Sequence, residues 1–239
     1  GYIQAGASSG VSDPKGMKSP PRYRDRSHAG QVLAARLSEY AADARVLVLG
    51  LARGGVPVAA KVAGKLGARL KAFVVCKVGV PTHPEFAMGA VANDCVLLDD
   101  ALIARLRLSP EVVETAVNRA TNEGLRRTAL YGPGASAADL ADATVILVDD
   151  GLATGFSMRT AVHAVRSHGC AGVIVAVPVG APDSCAAMEA AVDRLVSPLQ
   201  PASFTSVSQW YDTFRATSDD EVRACLEQAR HVHDRGRSK

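Results

Sequence analysis

Val145-Ile-Leu-Val148 is an apolar, largely β-branched run, followed at once by Asp149-Asp150-Gly151-Leu152-Ala153-Thr154-Gly155-Phe156-Ser157 and then by residues 158–168, which read as a helix. An apolar run without polar alternation predicts a parallel strand covered on both faces. A strand feeding a helix through a glycine-bracketed loop is the unit from which α/β sheets are wound. In such sheets ligands lie outside the carboxyl ends of the strands, and the first amides of a helix hold anions. Gly151 and Gly155 let the backbone turn its amides inward, while the Thr154 and Ser157 hydroxyls are placed to donate to phosphate oxygens. Twin carboxylates beside such a loop would repel an anion unless they faced hydroxyls or a cation. Acceptor-only groups suit a vicinal diol, and hard oxygens suit Mg²⁺ carried in with a substrate phosphate.

A second unit of the same kind lies upstream. Arg45-Val-Leu-Val-Leu-Gly50-Leu51 reads as a strand, Ala52-Arg53-Gly54-Gly55 as a compact anion nest, and Val56 to Leu66 as a helix in which Lys61 and Lys65 alternate with apolar positions. A third segment, Phe73 to Val91, ends a strand near Lys77 and continues through Gly79, Pro81, Pro84 and Gly89, a composition that predicts an irregular, lid-like loop. Two other motif readings fail on residue grounds. Gly155 is followed by Phe156-Ser157 with no lysine, so there is no Walker loop. Gly155-Phe-Ser157-Met-Arg159 lacks the second glycine of a nucleophile elbow.

The string from Val145 to Ser157 closely resembles the phosphoribosyl-pyrophosphate (PRPP) signature of type I phosphoribosyltransferases. The resemblance covers most of Tyr23 to Arg230 and is tightest at Asp149–Ser157 and Arg53–Gly55. It implies an α/β fold, a doubly wound parallel sheet with a small hood and a β-hairpin or flexible loop, with residues 17–239 as one domain. It implies that Asp149 and Asp150 hold the ribose hydroxyls, that Gly151, Leu152, Ala153, Thr154, Gly155, Phe156 and Ser157 wrap the 5-phosphate, and that Arg53, Gly54 and Gly55 form a pyrophosphate loop preceded by a cis Ala52–Arg53 peptide. Arg53 and Lys77 are the candidate catalytic residues, stabilising departing pyrophosphate. His83 and Glu85 fall where an acceptor would approach. The implied cofactor is Mg²⁺, held mainly by substrate with Asp149 as the protein ligand.

Composition agrees with a small-molecule enzyme. The chain has 239 residues and a net charge of +3, with no Lys/Arg block and no interleaved aromatic platform, so no nucleic-acid partner is expected. Five cysteines without Cys-x-x-Cys spacing argue against disulfides and zinc. His231-Val-His233 does not share a helix face and reads as tail. With no apolar stretch near membrane-spanning length, no membrane partner is expected and the protein reads as cytoplasmic. Residues 1–16, rich in Gly, Ser and Ala, read as a cloning scar or disordered leader.

The remaining elements follow from local signals. Ser27 is expected to cap a helix over residues 28–42, and Ser109-Pro110-Glu111 to start one reaching about Leu130, with Glu123 and Arg127 as an exposed pair. Phe86 to Leu98 reads as a hairpin turning at Asn93-Asp94, residues 171–177 and 194–197 as strands, residues 183–191 as a helix, and Ser218 to Glu221 as the capping box of a terminal helix. Trp210, Tyr211 and Phe214 form an aromatic cluster suited to a core, to stacking on a base, or to a homodimer contact. The leading functional expectation is Mg²⁺-dependent transfer of phosphoribosyl from PRPP to an unidentified nucleophile. The alternatives are a PRPP- or nucleotide-sensing protein without turnover, and action on nucleoside monophosphates in the reverse or hydrolytic direction.

Overall fold

The computed structural model describes residues 22–81, 83–93 and 95–237, with the side chains of residues 83–86 and 233–237 outside that description. The leader assigned to residues 1–16 and the His83 and Glu85 side chains therefore lie outside the described residues. Strands β1 (Val46–Ala52), β2 (Arg69–Val80), β5 (Thr144–Val148), β6 (Gly172–Ala176) and β7 (Arg194–Val196) run parallel, and β3 (His83–Ala92) and β4 (Cys95–Leu98) add antiparallel to the free edge of β2. The sheet order is β4-β3-β2-β1-β5-β6-β7. The doubly wound parallel core is thus present, widened by two antiparallel strands.

Helices α1 (Arg26–Ala35), α2 (Gly55–Leu66), α3 (Asp100–Leu106), α4 (Pro110–Tyr131), α5 (Ala137–Leu140), α6 (Phe156–Arg166), α7 (Pro182–Glu189) and α8 (Asp219–Arg237) flank it. Successive side chains of a strand point to opposite faces, and the apolar runs of β1 and β5 supply two cores at once. Val46, Val48, Ile146 and Val148 pack with residues of α1, α2, α4 and α8. Leu47, Leu49, Leu51, Val145 and Leu147 pack with residues of α6 and α7 on the other side. A small third cluster of Tyr23, Ala29, Val179, Trp210 and Tyr211 answers to the expected hood. Main-chain bonds from Tyr23 N to Trp210 O (2.8 Å) and from Asp212 N to Tyr23 O (2.8 Å) lace it together.

Three local expectations need correction. The first helix is capped by Asp25, whose carboxylate accepts from His28 N at 2.8 Å, and it ends at Ala35. A carboxylate at the N-cap also meets the positive end of the helix dipole, and so displaces the neighbouring Ser27 hydroxyl. The segment after Lys77 is no irregular loop: β2 continues to Val80 and pairs with β3, with register shifts around Gly79 and with Pro81 in the turn, where it costs no ladder bond. At the last helix, Ser218 Oγ accepts from Glu221 N at 3.1 Å, but the Glu221 carboxylate turns to Arg215 (2.9 and 3.0 Å) and leaves the capping box half made. Among the described residues no helix is long and apolar enough to cross a membrane.

Candidate active site

Leaving β1 the chain goes to β2 on one side, whereas β5 lies on the other, so the strand order reverses between β1 and β5 and a crevice opens at their carboxyl ends. Gly50 stands opposite Val148 there, and each strand then gives way to its loop. After β1, the Ala52–Arg53 peptide is cis, as the family resemblance implies. Helix α2 starts at Gly55 with no side-chain cap. This loop lies directly on the acidic turn. A Cβ at Gly54 would collide with Asp150 Oδ2, and one at Gly55 would sit 2.5 Å from Val148 O and 2.9 Å from the Cα of Asp149. Only glycine leaves room for the two loops to meet.

Asp149 and Asp150 line the floor of a cavity of about 850 Å³. Asp150 N donates to Asp149 Oδ1 at 2.8 Å, Tyr211 Oη donates to Asp150 O at 2.6 Å, and Arg26 donates through Nε to Asp150 Oδ2 at 2.9 Å. Burial pushes the Asp149 carboxyl well above the usual carboxylate range, and the Asp150 charge adds to it, against smaller opposing pulls from the Asp150 N–H hydrogen bond, Arg26 and Lys77. Burial also raises Asp150, opposed chiefly by Arg26. Two crowded carboxyls with raised affinity for protons are poised to take hydroxyl donors or a cation.

The loop after β5 divides into an anchor and an open part. Leu152 is 2 % exposed, its N–H donates to Val179 O (2.9 Å), and its carbonyl accepts from Ala181 N (2.8 Å). Leu152 therefore pins the loop through its own main chain. The Ala153 carbonyl is likewise taken by Ser184 Oγ. Ala153 and Thr154 are exposed, and Gly155 adopts φ +73° to enter α6, which has no side-chain cap. The first amides of a helix have no intrahelical partner, and at the start of α6 no side chain caps those of Phe156 and Ser157. By contrast α1, α3, α4 and α5 are all capped by a side chain. Ser157 lines the cavity.

Lys77 lies exposed on the cavity wall, and Arg53 reaches Asp219 only at 3.8 Å, an exposed contact of little worth. The wall opposite the acids was not anticipated: Val112, Thr115, Ala116, Arg119, Ala120 and Glu123 form one face of α4 and line the cavity. Arg127, expected as an exposed partner of Glu123, does pair with it at 2.6 Å, but both border this cavity. Cys76 lines it too, with its thiol pushed up by burial and thus kept from thiolate chemistry. The aromatic cluster is core: Trp210 and Tyr211 are buried, and Phe214 packs against Tyr211 with ring centroids 4.9 Å apart.

Arg26, like the α4 wall, is part of the site that sequence reading missed. One signal pointed to it, since a cation in the first turn of a helix opposes the macrodipole and calls for a nearby anion.

The crevice, its two uncapped helix ends and the acid pair define an α/β protein with glycine loops and carboxylates gathered at the carboxyl edge of its sheet. A family model described as "Phosphoribosyl transferase domain" matches residues 26–209. Proteins named "Putative phosphoribosyl transferase" from two strains of Mycobacterium tuberculosis are 40% identical over 208 residues, covering 87% of this chain and 47% of each relative. The chain thus spans about half the length of the curated relatives it matches. The crystal structure of TT1426 from Thermus thermophilus superposes with a TM-score of 0.70 at 36% identity, covering 87% of this chain and 98% of that one. The chain belongs to the phosphoribosyl transferase domain family, a family of transferases.

Proposed function

We propose that this chain transfers a 5-phosphoribosyl group from PRPP to a small nucleophile and releases pyrophosphate. The observation that carries this reading is the meeting of the Arg53–Gly55 loop with the Asp149–Asp150 turn, between the uncapped ends of α2 and α6. In this reading the 5-phosphate takes the amides and hydroxyls of Gly151 to Ser157, with Leu152 as anchor and Thr154 and Ser157 as hydroxyl donors. Asp149 and Asp150 accept from the ribose hydroxyls. Pyrophosphate takes Arg53, Lys77 and the Gly54 and Gly55 amides. The face of α4 from Val112 to Glu123 is left for the acceptor.

As the bond from C1 to pyrophosphate breaks, the ribose gains oxocarbenium character, as a sugar does in glycoside hydrolysis. Charge grows on the leaving oxygen, and preorganised donors aimed at growing charge supply about 3–4 kcal/mol each in other enzymes. Arg53, Lys77 and the two glycine amides fill that role, and the acceptor closes the new bond to C1. No nucleophilic side chain is needed.

The donor set fits Mg²⁺. Two adjacent carboxylates face the cavity, and among the described residues no group of three or more His, Cys, Asp or Glu forms a complete metal site. Mg²⁺ binds through one or two carboxylates plus substrate oxygens and water, so Asp149 would hold it with the substrate supplying the rest. When bound, the ion neutralises pyrophosphate charge.

Isotope exchange between pyrophosphate and PRPP, together with pyrophosphate release across a panel of nucleobases and other small nucleophiles, tests the reading. Release that depends on one acceptor supports it. Tight PRPP binding without exchange or release on any acceptor would move the chain to a sensing role.

A further inference from the structure

We propose that Arg26 is a positioning residue that fixes Asp150 as one half of the clamp on the ribose diol. The inference rests on the PRPP reading above, and its own content is how one carboxylate is aimed.

Arg26 opens α1, where a cation stands against the helix dipole. Every part of its guanidinium is nonetheless engaged. Nε and Nη2 approach Asp150 Oδ2 at 2.9 and 2.7 Å, Nη1 donates to Arg215 O at 2.7 Å, and Cζ lies over the Phe214 ring, 4.0 Å from its centroid. Its side chain is 12 % exposed. It therefore joins three parts of the chain: the start of α1, the acid turn 124 residues later, and the segment after the hood cluster.

The contacts on Asp150 are distributed in a telling way. Both guanidinium contacts fall on Oδ2, Tyr211 Oη takes the main-chain carbonyl, and the main-chain N–H goes to Asp149. No hydrogen bond from another described side chain takes Oδ1, the carboxyl's remaining contact being with Asp150's own N–H, and Asp150 lines the cavity that Arg26 itself does not border. Arg26 thus occupies the back of the carboxylate and leaves its front for a hydroxyl. The planar fork explains the choice of arginine, because a single ammonium cannot span Asp150 and the Arg215 carbonyl while stacking on Phe214.

Titration calorimetry with PRPP, ribose 5-phosphate and pyrophosphate, each with Mg²⁺, tests this on the full chain and on Arg26→Gln, Arg26→Lys, Asp150→Asn and the double variant Arg26→Gln/Asp150→Asn. Arg26→Gln is expected to weaken PRPP and ribose 5-phosphate on the order of tenfold, and the double variant to bind no worse than Asp150→Asn alone, as for residues acting through one contact. Pyrophosphate affinity should stay within about twofold, and Arg26→Lys should recover part of the loss. Equal losses for all three ligands, additive losses in the double variant, or no loss would overturn the proposal. Should Arg26→Gln fail to fold, Phe214→Leu removes the surface on which Arg26 stacks together with its packing on Tyr211 and should give a smaller loss confined to the two ribose ligands, and an unselective or absent loss would overturn it. A wild-type chain that binds pyrophosphate but neither ribose ligand would sink the PRPP reading itself, and this proposal with it.

Discussion

The two anion loops of the crevice both rest on glycine, for opposite reasons. At Gly54 and Gly55 the backbone conformation is one that any residue adopts, with Gly54 at φ −61°, but a side chain there would meet the acid turn across the crevice. At Gly155 there is space, the nearest neighbour of an added Cβ being 3.7 Å away, but φ is +73°. The first loop is constrained by its neighbour and the second by its own turn. Replacing a glycine of the first loop should therefore be felt as lost ligand geometry, and replacing Gly155 in the second as lost stability.

Gly54→Ala makes the largest expected break. The methyl must displace the Asp150 carboxylate, so overpacking of about 1–3 kcal/mol adds to a misplaced charged acceptor worth about 1.5–3 kcal/mol, and PRPP affinity should fall by well over tenfold in calorimetry. Thr154→Val comes next. Removing a hydroxyl donor from a phosphate forfeits about 1.5–3 kcal/mol, and the loss should appear for ribose 5-phosphate but not for pyrophosphate; equal losses would erase the distinction between the two loops. Gly155→Ala should lower stability by about 1 kcal/mol, read in denaturant unfolding, with ligand affinities changed less than by Gly54→Ala. Ala116→Phe on α4 sharpens the comparison from outside it, and should raise the acceptor KM while leaving the affinity for PRPP unchanged.

The smallest effect is a pH dependence carried by ion pairs outside the two loops. Lys71 and Ser136 hold Asp139 well below the usual carboxylate range, and Arg126 and Arg127 bring Glu123 down to about 2. Carboxyls with lowered folded-state pKa values add stability above their unfolded values, and lose it as pH falls from about 4 toward the folded ones. Between pH 5 and 3 they should therefore pull the thermal midpoint down, against the raised Asp149 and Asp150 carboxyls, which pull it up over the same range, and the wild-type midpoint should fall relative to that of Asp139→Asn on the order of a few degrees.

What the sequence made legible follows the same division. The strands of the crevice announce themselves as apolar runs, and their glycines and acids sit beside them, so the two loops and their helices are readable within a dozen residues. The antiparallel extension is not, because Gly79, Pro81 and Gly89 weaken every local strand signal, and only pairing along β2 and β3 supplies the order. Arg26 meets Asp150 across 124 residues, and no periodicity encodes that contact. The α4 wall was hidden by a correct local reading: Glu123 and Arg127 do pair, but only the packing of α4 on β2 turns that pair toward the cavity. Local chemistry was thus visible where one loop supplies it, and invisible where two distant segments share it.

A crystal structure of the chain with PRPP and Mg²⁺ tests the central claim most directly. The account predicts the 5-phosphate on the amides at the start of α6, the ribose hydroxyls on Asp149 and Asp150, and pyrophosphate on Arg53 to Gly55. PRPP bound elsewhere in the cavity, with the Gly151–Ser157 loop unengaged, would contradict it.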